Sequence, residues 1–158
     1  MSAHPIEQRV AAPNPTGAPF RKILVGFEGS PGAWRALAQA LRLAASDGAT
    51  VHVLTVIEHL PQYAATVGEM EEALTEAERQ AALLQAEVRH AADLAGVRVE
   101  TVRRAGHAAK TLVDYAREGG FDLLVLGHAG HSGVWGLFLG TTCDKVVRHA
   151  PCSVLIVR

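Results

Sequence analysis

Apolar residues recur along the chain in two alternating rhythms. Short continuous runs rich in branched side chains occur as KILVGF (22–27), TVHVLTVI (50–57), FDLLVLG (121–127) and SVLIVR (153–158). Runs of this length bounded by glycine or polar turns predict strands buried on both faces. VRVETV (97–102) alternates instead and predicts a further strand, third in chain order. Between these runs the apolar spacing becomes helical. Ser30-Pro31 gives an N-cap and a first helical position, after which Trp34, Leu37, Ala38, Leu41 and Ala45 share a face and Asp47-Gly48 stops the helix. Met70, Ala73, Ala77, Ala81, Leu84, Val88, Ala91 and Ala95 mark a long amphipathic helix closed by Gly96. A third helix is predicted over 108–118, with Leu112, Val113 and Ala116 inward and Gly119-Gly120 as its stop, and a fourth over 141–150.

Strands separated by helices predict an α/β fold: an open five-stranded parallel sheet with helices on both faces. Ligands of such sheets bind outside the carboxyl ends of the strands, where strand order reverses. The loops FEGSPG, IEHLP and GHAGHSG all belong to that edge. Residues 1–20, with Pro5, Pro13, Pro15 and Pro19 among small and polar neighbours, are expected to be a flexible leader before a domain at 21–158.

Length and charge narrow the function classes. A chain of 158 residues suits one domain with a real core. Its formal net charge is -1, with no basic run, so nucleic acid is not an expected partner. Apolar residues make up 49%, yet no stretch approaches the roughly 20 that a membrane helix needs, and the N-terminus lacks an apolar signal core. A cytoplasmic protein without membrane partners is the expectation. Cys143 and Cys152 lie in no metal or CxxC spacing and read as reduced, packed thiols.

The candidate chemistry lies in VLGHAGHSGVWGLFLGTT (125–142), which holds five glycines. Glycine costs entropy on ordering, so the cluster answers a backbone constraint: a tight turn, a close helix–strand contact, or a ligand touched by the main chain. Gly127 and Gly130 would let the backbone approach a ligand. Gly140-Thr141-Thr142 opens a helix, whose N-terminus suits phosphate. The bland alternatives are a turn at Gly127 and Gly130 and a capping box from Thr141 to Asp144. The segment is neither a Walker A loop nor GxGxxG. His128 and His131 do not make a metal site without further ligands, and phosphate contact or solvent exposure is the plainer reading. His107 is placed to cap or flank the third helix. Trp135 and Phe138 either pack the loop down or form a partner surface. No nucleophile–base pair is legible from spacing, so no catalytic residue is assigned.

Gly127-x2-Gly130-x9-Gly140-Thr141 resembles the G-2x-G-9x-G-[ST] motif of nucleotide-binding universal stress proteins. KILVGFEGSPGAWRAL is similar to that family's opening, and RHAPCSVLIVR to its closing helix-turn-strand. The resemblance covers about residues 21–158 and implies a Rossmann-like, adenine-nucleotide-hydrolase-like fold holding ATP, often with Mg2+ or Mn2+. By this resemblance the glycines and Gly140-Thr141-Thr142 cradle the triphosphate, Glu28 stands where an aspartate contacts the nucleoside, Val56 meets adenine through its backbone, and Ser30 lies near the phosphates. Glu28 is one methylene longer than the usual carboxylate. His131 replaces a common basic residue and supplies a donor without a fixed charge. The candidate site is therefore Gly26, Glu28, Ser30, Val56, Gly127, His128, Gly130, His131, Gly140, Thr141 and Thr142. The resemblance implies a stress-response regulatory module that binds ATP and forms a homodimer through its final strand. A slow ATPase and a scaffold of the same fold that binds no nucleotide remain the alternatives.

Overall fold

The computed structural model describes residues 20–58, 66–128 and 140–158. In chain order the elements are β1 (Lys22–Gly26), α1 (Pro31–Asp47), β2 (Thr50–Ile57), α2 (Val67–Ala95), β3 (Val99–Ala105), α3 (Ala108–Glu118), β4 (Leu123–Gly127), α4 (Thr141–His149) and β5 (Ser153–Val157). Among the described residues the strands form one parallel sheet in the order β3-β2-β1-β4-β5. Strand order reverses between β1 and β4, which places the crevice of the sheet there.

Alternation along each strand divides the core in two. Ile23, Val25, Val51, Val53, Leu123 and Val125 pack against α1 and the second half of α2. Leu24, Leu54, Leu124 and Leu126 face the other way, onto Leu112, Val113 and Ala116 of α3 and Cys143 and Val146 of α4. Burial on both faces is why these strands read as unbroken apolar runs.

Two expected details differ. The buried stripe of α1 is Ala33, Ala36, Leu37, Ala40, Leu41 and Ala44, while Ala38 and Ala45 are exposed. Four small residues on the inner face bring this helix close to the sheet, and Trp34 moves to its border, edge-on to Phe27. β3 starts at Val99 and runs past the expected end at 102 to Ala105, because β2 offers partners through Thr55↔Arg103, Val56↔Arg104 and Ile57↔Ala105. As an edge strand it carries exposed arginines where a central strand would be apolar.

At the opposite end of the sheet from the crevice, Asp122 fastens the start of β1, accepting hydrogen bonds from the backbone N–H groups of Arg21 (2.8 Å) and Lys22 (3.1 Å). Nearby, His52 of β2 is half-buried. Its Nδ1 lies 3.1 Å from Tyr115 Oη, and its ring meets Phe121 edge-on at 4.9 Å. Burial lowers the His52 pKa, Glu100 raises it, and Lys22 lowers it; the net direction is down. Glu100 loses this contest because it stands 3.5 Å away and is 66% exposed to screening water.

The pH dependence follows from that direction. The unfolded His52 titrates near its ordinary 6.5 and the folded one below it. Between the two values the unfolded chain binds more protons, so stability is complete above the unfolded value and is lost as pH falls through the folded one. Urea midpoints should therefore drop between about pH 7.5 and pH 5, and His52→Gln should flatten that drop. An unchanged slope in the variant would show that other groups set it.

Candidate functional site

The carboxyl ends of β1, β2 and β4 and the first turns of α3 and α4 enclose a cavity of about 310 Å³. Of the residues expected at the site, Gly26, Glu28, Val56, Gly127 and Thr142 line it together. Gly140 and Thr141 lead directly into that wall as the N-cap and first residue of α4. Ser30 and His128 flank the cavity without lining it. His128 donates its backbone N–H to Val157 O at 2.7 Å. Gly130 and His131 lie outside the described residues.

Each helix N-terminus at this end of the sheet has a different provision. Ser30 Oγ accepts from Ala33 N at 3.1 Å and so caps α1, while its hydroxyl donates to Glu28 Oε1. Thr66 and Glu69 form a reciprocal capping box on α2. His107 is the N-cap residue of α3 but makes no side-chain cap bond. Glu58 takes that role from the end of β2, its Oε1 accepting from Ala108 N at 3.1 Å. For α4 the cap is Gly140, with no side-chain cap bond. Thr141 is thus the first helical residue, one place too late to cap, and the alternative of a Thr141–Asp144 capping box is not realised. Asp144 instead accepts from Arg148 Nε at 3.0 Å, which holds its carboxyl below the usual range. Among the described residues the α4 N-terminus thus meets the cavity with no side-chain cap, and Asp144 is the acidic residue of its first turn.

The glycines meet different constraints. A Cβ on Gly127 would collide with the carbonyl carbon of Gly32 and come within 2.7 Å of Ala33 N. A Cβ on Gly32 would in turn stand 2.9 Å from His128 O. Of the three constraints that the sequence left open, a close helix–strand contact is the one that requires glycine at 127. Gly26 is different: its Cβ would press on Leu126 Cδ2 at 2.5 Å and Leu112 Cδ2 at 3.1 Å, both in the cavity wall. Cys143 Sγ donates to Gly127 O at 3.4 Å and fixes the start of α4 against the end of β4.

Phe27, Leu54, Glu58, Ala108, Leu112, Leu126 and Cys143 complete the wall and were not among the expected site residues. The signal for Glu58 was available, a carboxylate directly following a buried strand at the ligand edge. No lysine or arginine lines the cavity among the described residues, and they contain no cluster of three or more metal-binding side chains. The arrangement provides an apolar floor, two carboxylates and a helix N-terminus.

A doubly wound parallel sheet with a cavity at its switch point defines the class. Within it the chain belongs to the universal stress protein family, whose model matches residues 19–158. It is 38% identical over 142 residues to the universal stress protein in QAH/OAS sulfhydrylase 3'region of Thermus aquaticus, covering 88% of this chain and 99% of that protein. Universal stress protein YxiE of Bacillus subtilis is 29% identical over 152 residues, with 88% and 99% covered. Among solved structures, UspA from Lactobacillus plantarum superposes with a TM-score of 0.74 at 27% identity, covering 88% of this chain and 98% of that one. A universal stress protein in complex with cAMP gives 0.69 at 26% identity, with 88% and 97% covered.

The Gly32–Gly127 contact predicts a graded pair of variants. Gly127→Ala should cost about 1–3 kcal/mol in urea denaturation, since helix backbone must move to admit the methyl. Gly68→Ala, in α2 with nothing within 4 Å of the new Cβ, should be neutral or stabilising by up to about 1 kcal/mol. Equal effects at the two positions would refute the close approach as the reason for Gly127.

Proposed function

We propose that this chain is an ATP-binding regulatory module of the universal stress type. The observation that carries this reading is the convergence of Gly26, Glu28, Val56, Gly127 and Thr142 on one cavity beside a helix N-terminus that has no side-chain cap. Val56 and the leucines supply an apolar surface for a base. Glu28 and Glu58 are acceptors for nucleoside hydroxyls. The α4 N-terminus and Thr142 are donors for phosphate. A structural neighbour is a complex with cAMP, which supports the nucleotide class for this cavity. A divalent cation enters only as the companion of the phosphates, since the described residues bring no metal cluster of their own. A cytoplasmic, regulatory role accords with a chain in which no described helix is long and apolar enough to cross a membrane.

The sheet edges favour a homodimer through β5. β3 carries exposed Glu100, Arg103 and Arg104, which discourage pairing with another strand. β5 presents Val154, Leu155, Ile156 and Val157 half-buried along the opposite edge. An isologous antiparallel pair would continue the sheet across a two-fold axis.

Calorimetric titration should show ATP binding to the full chain. Ala108→Trp, which fills the cavity while leaving the N–H that Glu58 accepts, should weaken it at least about tenfold, and Gly130→Val should do the same. Undiminished affinity in folded variants would move the nucleotide elsewhere, and no binding at millimolar ATP would favour the scaffold reading. Turnover should stay below about 1 per second, because no catalytic base is assigned.

Sedimentation at micromolar protein should give a dimer, and Ile156→Pro a folded monomer. A monomeric wild-type chain would reject the β5 pairing.

A further inference from the structure

Among the described residues, the first half of α2 has no core beneath it. Buried residues of this helix begin at Ala81, and none lies between Val67 and Gln80. Yet Val67, Met70, Ala73, Leu74 and Ala77 recur there at the spacing of one helical face. Together with Ile57 at the end of β2 they line a groove of about 670 Å³. Val67 is 75% exposed and Leu74 48%. A contiguous apolar surface rimmed by polar groups is the form an interaction site takes.

The rim is mainly acidic: Glu76 is paired with Arg79 at 2.8 Å, and Arg103 and Arg104 of β3 lie beyond Ile57 and Leu74 in the adjoining hollow. Glu58, Glu71 and Glu76 line the groove, with no lysine or arginine among its described lining residues. Between Val67 and Gln80 the helix carries five glutamates against the single Arg79. Glu58 also lines the cavity between α3 and α4, so the groove continues from the site already described.

We propose that this groove docks a basic amphipathic helix from a partner protein. Apolar anchors of such a helix would enter between Met70, Leu74 and Ile57, and its lysines or arginines would meet the glutamate rim. Unbranched Met70 can adapt to more than one anchor shape. The stretch from Val67 to Gln80 is about 21 Å long at 1.5 Å per residue, so a partner helix of about four turns matches it. A second copy of this chain seated here would bring two acidic rims together, and an anionic lipid surface would be repelled. A positively charged protein segment is the occupant that both the apolar floor and the charge select.

The probe is a fluorescein-labelled 14-residue peptide with leucine at helical spacing and lysine elsewhere, titrated into the full chain by anisotropy. Its counterpart carries glutamate for lysine. The lysine peptide should bind with a micromolar dissociation constant and the glutamate peptide should not. Leu74→Lys should weaken binding at least about tenfold, whereas Leu94→Lys, the same charge change at an exposed position of α2 beyond the groove, should leave it within about twofold. Both sites are exposed, and thermal unfolding checks that the variants fold; Leu74→Ser repeats the test without added charge. No binding of the lysine peptide, equal loss in Leu74→Lys and Leu94→Lys, or equal binding of the glutamate peptide would overturn the proposal. So would binding that appears only after Trp135 and Phe138 are both changed to serine, since the chain itself would then fill the groove. Dissociation of a dimer by Leu74→Lys would assign the groove to a second copy and likewise overturn it.

Discussion

The approach of Gly32 to Gly127 is the contact on which the rest of the arrangement depends. It lets the first turn of α1 lie against the end of β4 with backbone touching backbone. β4 is not the strand that α1 follows in sequence; it is the strand beyond the reversal of order. The contact therefore crosses the switch point of the sheet and fixes the width of its crevice. The small inner face of α1, with Ala33, Ala36, Ala40 and Ala44, extends the same close packing along the helix. A larger residue at either glycine would have to lift the helix, and with it Ser30 and Glu28 at the cavity edge.

The second determinant is electrostatic. The four helices all begin at the carboxyl end of the sheet, and each presents N–H groups that need acceptors. Ser30, the Thr66–Glu69 box and Glu58 supply side-chain acceptors to α1, α2 and α3. Among the described residues, α4 alone starts with a glycine cap and no side-chain acceptor. The difference is chemical rather than topological: side chains secure three of these helix starts, and a glycine opens the fourth. The sequence near Thr141 disguises this, because T-x-x-D has the form of a capping box. Gly140 takes the cap position, which moves both residues one step into the helix and turns Asp144 toward Arg148.

Central elements were legible in the sequence because burial on two faces leaves a signal that solvent cannot blur. β2 matches its expected bounds, and β1, β4 and β5 differ only by a residue or two at their ends. The end of β3 was not legible, since an edge strand is defined by hydrogen bonds to its neighbour and not by its own hydrophobicity. The inner face of α1 was read around Trp34, the largest apolar residue, whereas close packing selected the alanines. Glu58 escaped notice because its partner, the Ala108 N–H, is 50 residues away in the chain. Gly127 was recognised as special, but only the folded chain distinguishes a helix contact from a ligand contact. The middle of the glycine motif, 129–139, lies outside the described residues, so the motif is seen here from its two ends.

The two carboxylates of the cavity are already engaged in holding the fold. Glu28 accepts from Ser30, which in turn caps α1, and Glu58 caps α3. The extra methylene of Glu28, relative to aspartate, gives its carboxylate more reach toward Ser30. Each glutamate uses Oε1 for its bond and keeps Oε2 as a further acceptor, so a ligand hydroxyl that donates there would bind to a side chain that already secures a helix start, a cap worth about 1 kcal/mol. Binding at the cavity is thereby linked to the order of the first turns of α1 and α3. The first of these turns contains Gly32, which rests on Gly127, and the second packs beside α4. A ligand at the proposed site would therefore bear on the backbone contacts that set the crevice. On the proposed reading, the groups that would recognise the ligand are also the groups that hold the helices in place, which is the coupling a regulatory module requires.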